Sequence, residues 1–238
     1  MFLNPYLFEI LFNNYNNYNL DIIEFTVYYQ IEEKNKIFYP DDKLNHNHNF
    51  SNKFIYQPEL SNILFYEPRS KNYSKIICRT VWSKLFKRKI MLKAINYIGN
   101  DYYKNRYIIV VEDTILNVIL FHFAKNYTNI NLPGYMYNKR ILSISRINPT
   151  IELAKKRSIS FLLYYKLLYR YLKEMNKDMN YLYYDMKEFG FELISLKKYN
   201  IKEYLLIAKE MFKEIINNNK ISEEFKCFIK SEYKLLLF

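Results

Sequence analysis

The chain has 238 residues, half hydrophobic and a quarter charged, a balance that belongs to a folded domain and excludes a disordered one. Three Gly and six Pro exclude collagen-like, Gly-rich and many-turned all-β chains, and two cysteines, Cys78 and Cys227, exclude a disulfide framework. No apolar run is long enough to span a membrane and no charged-then-apolar leader opens the chain, so the expectation is a soluble, cytoplasmic, helix-rich protein.

Charge is uneven. The net charge is +12, but residues 1–60 carry four basic against eight acidic residues, leaving +16 on residues 61–238. The stretch Arg69 to Arg106 is densest, with Lys84, Lys87, Arg88, Lys89 and Lys93 close together. Such a field favours phosphates, nucleic acid or an acidic membrane surface. The abundance of Asn, Lys, Ile, Tyr and Phe has a plainer source, an A+T-rich codon supply, so charge alone identifies no ligand.

In chain order, Asn4-Pro5 predicts a helix start, with Asn as cap and Pro at the first helical position, and Tyr6 to Phe12 supply its apolar surface. Asn13 to Asn19 is expected to be a loop or frayed end. Asp21 to Tyr29 alternates as a strand, with Ile23, Phe25, Val27 and Tyr29 on one face. Residues 31–62 predict a polar loop or hairpin. A helix is expected from Ser83 to Ile98, because Phe86, Ile90 and Ala94 recur at four-residue spacing and Gly99 is placed to end it. Tyr107 to Val111 predicts a buried strand, and Thr114 to Ala124, apolar almost all round, a core helix. Asn129 to Tyr137 reads as a strand broken by Pro133-Gly134. Helices are then expected at 151–177, 200–217 and 221–236, with a boundary near Pro149 that divides the chain into 1–149 and 150–238.

Glu112-Asp113 is the most informative pair, set between a predicted buried strand and a predicted buried helix. A carboxylate there would lie at the carboxyl edge of a sheet, where open α/β folds bind ligands. Ionised by the helix N-terminus, it could take a proton from a hydroxyl; the plainer alternative is that Asp113 simply caps the helix. His46 and His48 with Asp41 and Asp42 lack a third metal ligand at a recognisable spacing, so a solvated loop is expected. Cys78 and Cys227 are expected to be buried structural thiols. The stripe of Phe161, Tyr164, Tyr165, Leu168, Tyr171 and Leu172 is expected to pack on the chain's own core.

Several segments together, in order, resemble family 2 glycosyltransferases of the GT-A type. Trp82-Ser-Lys-Leu-Phe-Lys-Arg88 resembles a W-x-K-L-F-x-R segment near the acceptor side, and Lys89 to Gly99 the helix after it. Val110-Val-Glu-Asp113 is similar to the strand and "ED" motif, and Gly134-Tyr-Met-Tyr137 with Ser143-Ile-Ser145 to the strand and loop that follow. Upstream, Asn4 to Phe8 and Asp21 to Phe25 resemble the helix and strand after the metal-binding DxD. The resemblance covers residues 1–146, while 151–238 resemble only a variable helical tail.

That resemblance implies a partial GT-A-like, Rossmann-like α/β sheet with a C-terminal helical region. It implies inverting transfer of a sugar from a nucleotide-sugar to a glycan or lipid-linked hydroxyl acceptor. Asp113 would be the base with Glu112 beside it, Trp82 and Lys84 would hold the acceptor, and Arg140 and Arg146 would contact the departing diphosphate. The family uses a divalent cation, Mn or Mg, held by DxD. No Asp-x-Asp triplet occurs here, and the expectation is a truncated enzyme or one needing a partner protein for donor binding. A non-catalytic interaction module, or an inactive fragment keeping part of the fold, is the alternative. Peripheral association with the inner face of a membrane fits either reading, and nucleic-acid binding through Arg69–Arg106 ranks last.

Overall fold

A computed structural model describes residues 2–3, 6–31, 36–38, 54–57, 60, 81, 83–99, 110–139 and 150–237. The fold is mixed α/β. The chain divides into two compact units, one of Met1–Gly99 with Leu116–Ile147 and the other of Asn100–Ile115 with Asn148–Phe238.

Among the described residues the first unit is built on a six-stranded mixed sheet. Its elements are β1 (Phe2–Leu3), α1 (Leu7–Tyr18), β2 (Ile22–Ile31), β3 (Lys36–Phe38), β4 (Phe54–Tyr56) and β5 (Lys84–Phe86). They continue with α2 (Arg88–Ile98), α3 (Glu112–Phe123), whose first turn belongs to the other unit, and β6 (Asn126–Lys139). β2 and β6 run parallel along their whole length at the centre. On the outer side of β2, β5 pairs antiparallel with Ile22–Glu24 and β3 with Tyr29–Ile31. On the outer side of β6, β4 pairs with Asn126–Thr128 and β1 with Tyr135–Met136, both antiparallel.

The expected strand at Asp21–Tyr29 is therefore present and central, and the polar stretch after it contains the hairpin β2–β3. Leu7 and Leu11 of α1 pack with Leu20, Ile23, Phe25 and Ile130 into the core of one sheet face. That anchoring carries α1 through Asn13–Tyr18, expected as loop, despite the poor helix propensity of Asn. The helix stops at Asn19, whose φ of 49° suits a short polar side chain better than most.

Three further expectations are corrected. Ser83–Phe86 does not begin a helix: Lys84–Phe86 is strand β5, paired to β2, and the helix starts only at Arg88. From there the periodicity holds, with Ile90, Ala94 and Ile98 buried and Gly99, at φ 80°, ending the helix. Tyr107–Ile109 lie outside the described residues, and Val110–Val111 form bends instead of strand. β6 is continuous across Pro133-Gly134, absorbed by register shifts at which Phe25 faces Ile130, Thr26 faces Pro133 and Val27 faces Tyr135. Gly134 lies directly under the Phe25 ring and the Leu7 side chain, where any Cβ would collide.

The second unit surrounds α4 (Ile151–Glu174) with α5 (Asn180–Phe189), a 3₁₀ turn (Gly190–Ile194), α6 (Ser195–Lys198), α7 (Lys202–Asn217), α8 (Glu223–Glu232) and α9 (Lys234–Leu237). Thr150 starts α4 by accepting the Leu153 N–H on its hydroxyl at 3.2 Å. The aromatic stripe of α4 is buried, as expected for self-packing. Polar tips inside this core find partners: the Tyr165 hydroxyl donates to the Asp185 carbonyl, the Ser158 hydroxyl to the Glu192 carbonyl, and Arg157 pairs with the Glu192 carboxylate. Cys227 is exposed, not buried, because it lies on the outer side of α8 while Phe225 and Ile229 face inward. Among the described residues no helix is long and apolar enough to cross a membrane.

Candidate active site

Helix α3 presents the expected carboxylates. It begins at Glu112, so Asp113 is the second helical residue and not the residue that caps it. The preceding residue, Val111, sits at φ 61° and its carbonyl accepts the Ile115 N–H at 3.3 Å. A β-branched residue in the left-handed region is strained by about 1–3 kcal/mol. The entry to the carboxylate turn is therefore sharp and held by the rest of the helix.

Both carboxylates lie in the first turn, where unpaired N–H groups and the helix dipole favour negative charge. Glu112 is exposed by surface area, yet neighbouring protein raises its carboxyl above the ordinary value. Partial burial is the main cause; its own backbone N–H pulls the other way, and the charge of Asp113 adds to the rise. The adjacent Asp113 charge thus adds a smaller rise to the one that burial imposes on Glu112. Thr114, Ile115 and Asn117–Phe121 are buried, which fixes α3 as the core helix expected. Its far end leads through Ala124 and Lys125 into a turn before β6.

Beside that far turn lies a buried polar cluster. Lys84 Nζ is 3.3 Å from Glu24 Oε1, with side-chain exposures of 0% and 3%. The Tyr127 hydroxyl donates to Glu24 Oε2 at 2.7 Å, the Ser83 hydroxyl to Glu24 Oε1 at 3.4 Å, and Lys84 Nζ to Ser83 Oγ at 3.5 Å. Register explains the meeting: Glu24 faces Lys84 on β5, and Ile22 faces Tyr127 on β6, so all three side chains share one sheet face. Lys84, expected at the acceptor side, thus directs its ammonium at Glu24, and contact with an acceptor would require that pair to open.

A second node ties the strand ends. Asp21 accepts the Lys125 N–H at 2.8 Å and pairs with Lys87 Nζ at 3.4 Å, while its own N–H donates to Asn126 Oδ1 at 2.7 Å. Asp21, Glu24, Ser83 and Tyr127 were not singled out by sequence reasoning. Alternation assigns Glu24 to the solvent phase of its strand, but Ile22 and Glu24 are both buried, so this face of β2 is covered as well.

The structure leaves other expected residues untouched. Trp82, Arg140, Arg146, Cys78 and the His46–His48 and Asp41–Asp42 pairs lie outside the described residues. Among the described residues no three His, Cys, Asp or Glu side chains gather in a way that could hold a metal ion. A groove of about 640 Å³ in the helical unit, lined by Tyr169, Lys173, Asn176, Asn218 and Lys220 among others, contains none of the expected site residues. Compared with known proteins, the chain matches no family model and has no significant match among curated proteins.

Proposed function

We propose that the protein takes part in inverting sugar transfer from a nucleotide-sugar to a hydroxyl acceptor, with Asp113 as the base. The observation that carries this reading is the position of Glu112-Asp113 in the first turn of a buried helix, behind a strained Val111, with Asp113 the second helical residue. The order of elements supports it. Helix α2, the carboxylate helix α3 and strand β6 follow one another in the order of the quoted segments, and β6 is parallel to β2, although Val110–Val111 are bends where the resemblance implies a strand.

In this reaction the acceptor oxygen forms a bond to the anomeric carbon from the face opposite the leaving diphosphate. The bond from that carbon to the diphosphate oxygen breaks, and the acceptor proton passes to the Asp113 carboxylate. Such a base contributes about 10²–10⁴ in rate, so the larger part of the barrier must fall to groups on the diphosphate.

The test is release of nucleotide from UDP- and GDP-sugars with manganese and a glycan acceptor present, with the product anomer determined by NMR. Acceptor-dependent release with inversion supports the reading. Release with retention of configuration contradicts it. A folded chain that releases no nucleotide favours the second reading, a non-catalytic module, for which the enclosure of Lys84 by Glu24 and Ser83 is the supporting observation.

A further inference from the structure

We infer that helix α2 is a docking surface for anionic lipid bilayers. Its inner side, Ile90, Ala94 and Ile98, is spent on the core. At 100° per residue the outer side runs Ile95, Arg88, Leu92, Asn96, Lys89, Lys93. The helix contains no acidic residue, and among the described residues none of its three cations has an ion-pair partner. Lys93 lies 5.8 Å from the Phe123 ring centroid, which leaves its charge uncompensated. Lys87 precedes the helix and pairs with the buried Asp21 at 3.4 Å, an acid that Lys125 meets through its backbone N–H.

What separates this surface from a general polyanion site is its apolar content. Leu92 is 47% exposed and Ile95 38%, flanking Arg88 on the outermost side. Aliphatic side chains gain nothing from a sugar-phosphate backbone in water. They gain from entering the boundary between headgroups and acyl chains, while the cations remain among the headgroup phosphates. A surface helix offering large aliphatics and cations together, with no acid, therefore matches an anionic bilayer in charge and in apolarity. The inference is independent of sugar transfer, since none of these residues is assigned to it.

The experiment is flotation of the full chain with phosphatidylcholine vesicles, with and without phosphatidylglycerol. Binding is expected only with phosphatidylglycerol and should weaken as salt rises. Replacing Arg88, Lys89 and Lys93 by Gln should lower partitioning about a hundredfold, at about fivefold per cation. Leu92→Ser with Ile95→Ser should lower it about tenfold or more while leaving net charge unchanged. All five positions are exposed or on the outer turn, and unaltered circular dichroism will show that the fold is kept. Failure to bind phosphatidylglycerol vesicles would overturn the inference, as would binding indifferent to either set of substitutions. Loss in the charge variant alone, together with tight binding of an RNA or DNA oligomer, would make this a polyanion surface and would also overturn it.

Discussion

Two carboxylates, Glu112 and Glu24, are held in opposite ways. Glu112 has its carboxyl raised above the ordinary value of 4.5, chiefly by partial burial. A raised carboxyl pKa contributes stability that is present below the unfolded value and lost as pH rises through the folded one. Glu112→Gln should therefore flatten the stability profile above about pH 4.5, making the variant relatively more stable at neutral pH, as urea titrations at a series of pH values would measure. Glu24 is instead locked to Lys84, Ser83 and Tyr127. Removing one partner strands a buried charge, so Lys84→Met and Glu24→Leu should each cost about 3–5 kcal/mol, while the double variant should recover most of the loss. Additive losses in the unfolding free energies would show that the two groups are not coupled.

At the level of elements, the close approach of α1 to the sheet depends on one missing side chain. A Cβ at Gly134 would stand 2.5 Å from the Phe25 ring and 2.7 Å from Leu7. Gly134→Ala should thus destabilise the sheet unit by about 1–3 kcal/mol through overpacking, seen as a lower urea midpoint with an unchanged slope. The strong local patterns were legible in sequence: the alternation through Ile23 and Phe25, the four-residue spacing of Ile90, Ala94 and Ile98, the apolar run in α3 and the stripe along α4. Where long-range pairing competes with local signal, sequence was a poorer guide. Ser83–Phe86 continues a helical period, yet Lys84 is drawn into a strand by Glu24, 60 positions away. Asn13–Tyr18 looks like loop, yet the burial of Leu7 and Leu11 keeps it helical. The carboxylate turn was found because a charged pair between apolar runs is conspicuous. The cluster around Glu24 was missed because its members are scattered over the chain and only the sheet register unites them.

For the whole molecule, the division into a sheet unit and a helical unit has an energetic basis in the second. Buried residues from α4 through α9 supply their own core, from Leu162, Tyr165 and Leu168 to Phe212, Phe225, Ile229 and Tyr233. Tyr233 stacks on Phe212 at 4.8 Å between ring centroids, and its burial raises its phenol far above the ordinary range. A fragment of residues 148–238 should accordingly fold alone and unfold in one cooperative urea transition. A broad, sloping loss of helical signal would contradict this. Residues 1–60 are acidic in balance and the remainder basic, and α2 carries three cations and no acid.

The most direct measurement is the turnover of Asp113→Asn relative to the unaltered protein in the nucleotide-sugar transfer assay, at matched folding stability. The proposed chemistry requires a fall of about 10²–10⁴, with Glu112→Gln far less affected. Transfer by Asp113→Asn at the unaltered rate would show that the acceptor proton leaves by another route, and would contradict the account.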